Sequence, residues 1–194
     1  MIMALRCFIA IEIPEPIRRS IDDSIAVLKK SGAEVKWVAC ENIHLTLQFL
    51  GETGESLVPK IKEALDKIVA PYSPFYIKIS TAGCFPDRKR PRVIWVGVEE
   101  SRPLTDLYGD IADVMGRFGY KKEERAFTPH ITIGRVKSNR NTRELLTRLD
   151  ELKAIRFSDF EVLNITLMKS ELTPSGAKYY SLAEIPFGGR SNVD

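Results

Sequence analysis

The sequence predicts an α+β fold with antiparallel sheets, made twice from one structural unit. Three observations carry this. Helical and strand-like patterns are mixed without the strict βαβ alternation of a parallel sheet. The chain's two histidines sit in matching tetrads, His44-Leu45-Thr46-Leu47 and His130-Ile131-Thr132-Ile133. The elements on either side of the two tetrads also match in type and spacing.

Residues 6–11 read as an opening strand, ended by Pro14 and Pro16. Ile17, Ile21, Ile25 and Leu28 recur at helical spacing and stop at Gly32, a residue suited to a left-handed C-cap. The first tetrad alternates His44, Thr46 and Gln48 with Leu45, Leu47 and Phe49, which predicts a half-buried strand with the aliphatics inward. Ser56 is the expected N-cap of the next helix. Residues 75–80 and 93–98 read as further strands. A second amphipathic run, Leu104, Leu107, Ile111, Val114, Met115 and Phe118, stops at Gly119. Gly32 and Gly119 lie 12 and 11 residues before their histidines. After the second tetrad, Asn141 is the expected N-cap of a last helix, with Glu144 completing a capping box. Residues 160–168 and 179–182 read as closing strands. The unit of helix, glycine, His-x-Thr strand and helix thus occurs twice, which predicts two similar lobes within one domain, 1–194.

Composition narrows the function classes. At 194 residues the chain buries a full core without disulfides or metal. A net charge of +3 is too mild for a general nucleic-acid coat. Cys7, Cys40 and Cys84 are odd in number and scattered, as expected of small core residues in a reducing compartment. With no signal-peptide pattern and no apolar run of membrane-spanning length, the expected protein is a soluble, cytoplasmic monomer.

The tetrads carry the chemistry. With ten threonines in the chain, a Thr two places after both histidines is a coincidence of roughly 0.3%. His and Thr at i and i+2 of a strand project from one face, about 7 Å apart. Imidazole transfers protons near neutral pH, and a neighbouring hydroxyl donates to an oxyanion. Two such elements suit phosphoryl transfer, with one histidine as base and the other as acid. Zinc requires three or four His or Cys ligands, so the inventory argues against a metal site. No metal or other cofactor is expected. No Gly-x-Ser-x-Gly supports a serine hydrolase. A binding module without catalysis does not need two titratable groups.

At these residues the chain resembles the two-histidine (2H) phosphoesterases, and within them the RNA 2′,3′-cyclic phosphodiesterases, historically called 2′-5′ RNA ligases. The likeness extends over most of the chain. It includes residues 6–11, 35–38, 42–51, 85–97 and 127–135, with both tetrads intact. The resemblance implies a bilobal, pseudo-twofold fold whose two sheets form a central groove, with helices outside. It implies His44 as proton donor, His130 as proton acceptor, and Thr46 and Thr132 as phosphate-binding residues. The implied reaction opens 2′,3′-cyclic phosphate ends of RNA to 2′-phosphomonoesters without metal, and with a 5′-hydroxyl replacing water the same transesterification chemistry gives 2′-5′ RNA ligation. Alternatives are an RNA-binding module of the same fold, or a phosphodiesterase for small cyclic nucleotides or 2′-5′ oligoadenylate.

Other candidates rest on residue type. Arg135 is a candidate to neutralise phosphate, although a regular strand would turn it away from His130 and Thr132. Phe8 and Trp37 read as core residues, with stacking on a base as the functional alternative. The densest basic cluster, Arg88, Lys89, Arg90 and Arg92, is either a guide for an RNA backbone or a solvated loop. The charge-balanced run 121–125 reads as exposed surface.

Overall fold

A computed structural model describes residues 4–122, 126–153, 157–174 and 176–189. Among them, two four-stranded antiparallel sheets form around one continuous apolar core. The first sheet contains β1 (Ala4–Glu12), β3 (His44–Gly54), β9 (Asn164–Thr173) and β10 (Gly176–Pro186), in the order β10-β9-β1-β3. The second contains β2 (Val35–Trp37), β5 (Ile79–Phe85), β6 (Val93–Val98) and β7 (His130–Val136), in the order β2-β7-β6-β5. A separate ribbon pairs β4 (Phe75–Ile77) with β8 (Phe160–Val162).

Four helices present their apolar stripes to this core. They are α1 (Glu15–Lys29), α2 (Val58–Val69), α3 (Arg102–Arg117) and α4 (Thr142–Leu152). The stripe of α1 is Ile17, Ile21, Ile25 and Leu28, all buried, and that of α3 includes Leu104, Leu107, Ile111 and Met115. None of the described helices is long and apolar enough to cross a membrane.

The two halves correspond element by element. His44 pairs with Glu12 across β1–β3, and His130 pairs with Gly97 across β6–β7. The starts of α1 and α3 lie 87 positions apart (15 to 102), those of α2 and α4 84 (58 to 142), and those of β4 and β8 85 (75 to 160). Each half also contributes strands to the other half's sheet, β2 and β5 to the second and β9 and β10 to the first. β5 comes after the first tetrad but pairs with β6, while β9 comes after the second and pairs with β1. The equivalent strands β4 and β8 pair with each other, as expected at a local twofold axis. This exchange breaks two expected strands. Residues 75–80 divide between β4 and β5, and residues 160–168 divide at Leu163 between β8 and β9, because the chain must leave the ribbon to enter the far sheet.

The expected caps are only partly present. Gly32 and Gly119 both take positive φ just after their helices, as the left-handed cap requires. Ser56 lies instead in a short 3-10 turn, and α2 starts with Leu57 as its N-cap and Pro59 in its first turn. Asn141 is the N-cap of α4, but it has φ 54° and its side chain does not cap the helix. Its Nδ2 donates to Gly32 O at 3.2 Å, tying α4 to the end of α1. Glu144 forms an i,i+4 pair with Arg148 and no capping box. In the run 121–125, Lys122 is exposed and paired with Asp113, while residues 123–125 lie outside the described residues.

Candidate active site

Both tetrads form strands whose aliphatics face the core. Leu45, Leu47, Ile131 and Ile133 are buried, while His44, Thr46, His130 and Thr132 are half-buried on the opposite face. The alternation then breaks identically in each strand. Ala10 pairs with Thr46 and Ile9 with Gln48, leaving Leu47 as an extra residue. Trp95 pairs with Thr132 and Ile94 with Gly134, leaving Ile133 as an extra residue. Each is a β-bulge, which puts two residues opposite one and reverses the facing of the residues beyond it.

The bulges overturn one expectation and decide another. Gln48 was expected on the polar face with His44, but it is buried at 5% exposure, whereas Phe49 is 62% exposed and lines the groove. Arg135, the equivalent of Phe49, is likewise exposed and lines the groove with Thr132. Gly134 lets Trp37 lie close over the strand, since a Cβ there would come within 2.9 Å of the indole.

The groove between the sheets has a volume of about 730 Å³, and its wall includes His44, Thr46, Thr132 and Arg135. His130 stands two residues before Thr132 on the same face of β7, with its ring against Phe85 at 4.9 Å and Trp95 at 6.4 Å between centroids. His44 packs between Phe8 at 4.9 Å and Tyr179 at 5.2 Å. Phe8 is the buried residue its sequence context favoured, at 2% exposure, and it also borders the groove beside His44. Trp37 is half-buried and touches both core and groove, which departs from a purely core reading.

The two imidazoles are oriented by the same bond. His44 Nδ1–H donates to Asn42 O at 2.7 Å, and His130 Nδ1–H donates to Thr128 O at 2.7 Å. A carbonyl accepts only, so each neutral ring is held with its proton on Nδ1 and its Nε2 lone pair available for proton transfer. Asn42 is itself fixed, its Nδ2 donating to Ala177 O of β10 at 2.8 Å. The roles of Asn42 and Tyr179 were not expected from the sequence. The Tyr179 contact and the anchoring of the Asn42 side chain depend on β10 joining the first sheet, which no local pattern signals.

Burial pulls the His44 pKa below its ordinary value of 6.5, and the bond to Asn42 O works against this to a lesser degree. Burial raises the Tyr179 pKa, while Arg135 and Arg6 oppose the rise, so both guanidinium charges are felt at this ring. None of the basic cluster of residues 88–92 lines this wall. Arg88 forms a two-bond pair with Asp150, and Asp87 Oδ1 accepts from the backbone N–H groups of Lys89 and Arg90. The cations that line the groove are instead Arg6, Lys36, Arg135, Lys137 and Lys178. No group of three or more His, Cys, Asp or Glu side chains suited to a metal occurs among the described residues.

Comparison with known proteins agrees with this arrangement. A profile of the 2′-5′ RNA ligase superfamily matches residues 15–173. The RNA 2′,3′-cyclic phosphodiesterase of Methanothermobacter thermautotrophicus is 36% identical over 91% of this chain and 96% of its own. The protein of the same name from Methanocaldococcus jannaschii is 38% identical over 93% of this chain and 99% of its own. The crystal structure of E. coli LigT complexed with 3′-AMP superposes with a TM-score of 0.73 at 25% identity, covering 96% of this chain and 100% of that one. With its tetrads, groove and relatives all in agreement, the chain belongs to the 2′-5′ RNA ligase superfamily.

Proposed function

We propose that this chain is an RNA 2′,3′-cyclic phosphodiesterase that opens cyclic phosphate ends by acid/base catalysis between His44 and His130. The observation that carries the reading is the repeated Nδ1 bond, which leaves an Nε2 free on each tetrad histidine. The groove and relatives named for this activity support it. The duplicated unit and its exchanged strands support reading the chain as one domain of two lobes.

In the reaction, water attacks phosphorus as His130 Nε2 takes its proton. The P–O3′ bond breaks in line, and protonated His44 gives its Nε2 proton to the leaving 3′ oxygen. The products are a 3′-hydroxyl and a 2′-phosphomonoester. The Thr46 and Thr132 hydroxyls donate to the non-bridging oxygens, where charge accumulates, and Arg135 neutralises the phosphate. Ligation would be the same step with a 5′-hydroxyl in place of water as the attacking group, giving a 2′-5′ phosphodiester and a free 3′-hydroxyl.

The donor role requires His44 to be an imidazolium, whereas burial by itself favours the neutral ring. A phosphodiester anion beside the ring reverses that preference, because an opposite charge within about 4–6 Å stabilises the charged form. The apparent pKa values of the cycle belong to the pair of histidines and not to either alone.

The test is to offer the purified protein cytidine 2′,3′-cyclic phosphate, RNA with a cyclic phosphate end, and 2′-5′ oligoadenylate. Hydrolysis of the first two is expected. Cleavage of oligoadenylate alone would move the assignment to the other phosphodiesterase class, and RNA binding without turnover would make the fold a binding module.

A further inference from the structure

The groove has more positive charge than a single cyclic phosphate needs, and part of it is organised. Lys36 lies directly opposite Arg135 across the β2–β7 pair. Lys137 lies two positions beyond Arg135 and extends the ladder, its N–H donating to Glu34 O at 2.7 Å. Residues opposite each other, or two apart on a strand, share a face. Lys36, Arg135 and Lys137 thus form a triangle of cations on one wall, and all three line the groove.

Like charges directly opposite in a sheet are destabilising, and no carboxylate among the described residues lies within ion-pair distance of these three. Arg140, by contrast, pairs with Glu34. The three cations thus meet on one wall of the groove with no partner charge among the described residues. Arg6 adds charge from the facing sheet, where its field reaches Tyr179 together with that of Arg135.

Substrate chemistry gives the triangle a use. In a cyclic phosphate end, the 2′ and 3′ oxygens of the last nucleotide are both occupied, so the rest of the strand departs through its 5′ oxygen. The next phosphate is one nucleotide step away. Arg135 and Lys137 are separated by a strand step of about 7 Å, a spacing suited to successive phosphates. We propose that Lys36 and Lys137 form a second phosphate subsite, which holds the phosphodiester on the 5′ side of the terminal nucleotide. The subsite makes an oligonucleotide end, not a mononucleotide, the preferred substrate. This inference rests on the cyclic phosphodiesterase reading above.

The experiment compares kcat/KM for cytidine 2′,3′-cyclic phosphate with that for cytidylyl-cytidine carrying the same terminal cyclic phosphate. These differ by one internal phosphodiester. For the unaltered protein, the dinucleotide is expected to be favoured by about tenfold or more, as a charge-assisted contact provides. That advantage should fall steeply with salt, with a log–log slope about 0.7 more negative than for the mononucleotide. In the Lys36→Gln/Lys137→Gln double variant the ratio should fall to within about twofold of unity, while Lys36→Arg/Lys137→Arg restores most of it. Equal kcat/KM for both substrates in the unaltered protein, or an undiminished ratio in the glutamine variant, would overturn the subsite. Failure to hydrolyse either substrate would instead overturn the catalytic reading.

Discussion

Leu47 of β3 and Ile133 of β7 occupy the same place in the two halves, each being the unpaired residue of a β-bulge directly after the tetrad threonine. The bulge keeps His and Thr on the groove face and their aliphatic partners in the core. It also turns the residue three places past each threonine into the groove. In the first sheet that residue is Phe49, an apolar surface, and in the second it is Arg135, a cation. The symmetry of the backbone is thereby converted into an asymmetric site.

The exposed position of Arg135 leads to the first prediction. Arg135→Gln should lower kcat/KM by roughly 10- to 100-fold, the value of a charged hydrogen bond to phosphate. Arg135→Lys should recover part of this, since it keeps the charge but not the planar fork. Steady-state kinetics on cytidine 2′,3′-cyclic phosphate would show it. Unchanged kinetics in Arg135→Gln would mean that the bulge aims this side chain only into solvent.

His44→Ala and His130→Ala should each reduce turnover by at least about 100-fold with the circular dichroism spectrum retained. Acid and base act as a unit, so the double variant should be little worse than the poorer single one. Near-normal turnover in either folded single variant would remove that histidine from the mechanism.

Thr46→Val and Thr132→Val keep shape and delete a hydroxyl. If these groups bond the charge that develops on phosphorus oxygens, each should act mainly on kcat, by an amount equivalent to roughly 1.5–3 kcal/mol. A rise in KM alone would assign them to ground-state binding.

Stability should depend on pH through His44. Its folded pKa is depressed below 6.5 by burial, so in acid the unfolded chain takes up a proton that the folded chain resists. The neutral ring's contribution is intact above 6.5 and is lost as pH falls through the unfolded value toward the folded one. Between pH 7.5 and 5, Tm should therefore fall further for the unaltered protein than for His44→Gln. Equal falls in differential scanning calorimetry would show that burial does not perturb this histidine.

Much of the site was legible because short-range patterns encode it. The His-x-Thr alternation and the Ile17, Ile21, Ile25, Leu28 stripe each arise from the period of one element, and both emerge as read. Position 135 was ambiguous for a physical reason. A bulge is a mismatch between two strands, and nothing in Ile133 itself declares that Trp95 will face Thr132. The same holds for the contact of Tyr179 with His44 and for the anchoring of the Asn42 side chain to Ala177, which arise only because the second half of the chain returns a hairpin to the first sheet. Basic residues misled in the opposite direction. In the dense run at 88–92, Arg88 pairs with Asp150 and none of the run lines the groove, while cations far apart in sequence converge on it.

The assignment of His44 as donor and His130 as acceptor is tested most directly by the phosphorus NMR spectrum of the product from cytidine 2′,3′-cyclic phosphate, formed in excess EDTA. Donation from His44 to the 3′ oxygen predicts a single new resonance, that of the 2′-phosphomonoester, at an undiminished rate. A predominantly 3′-phosphate product, or turnover that stops in chelator and returns with added metal, would contradict it.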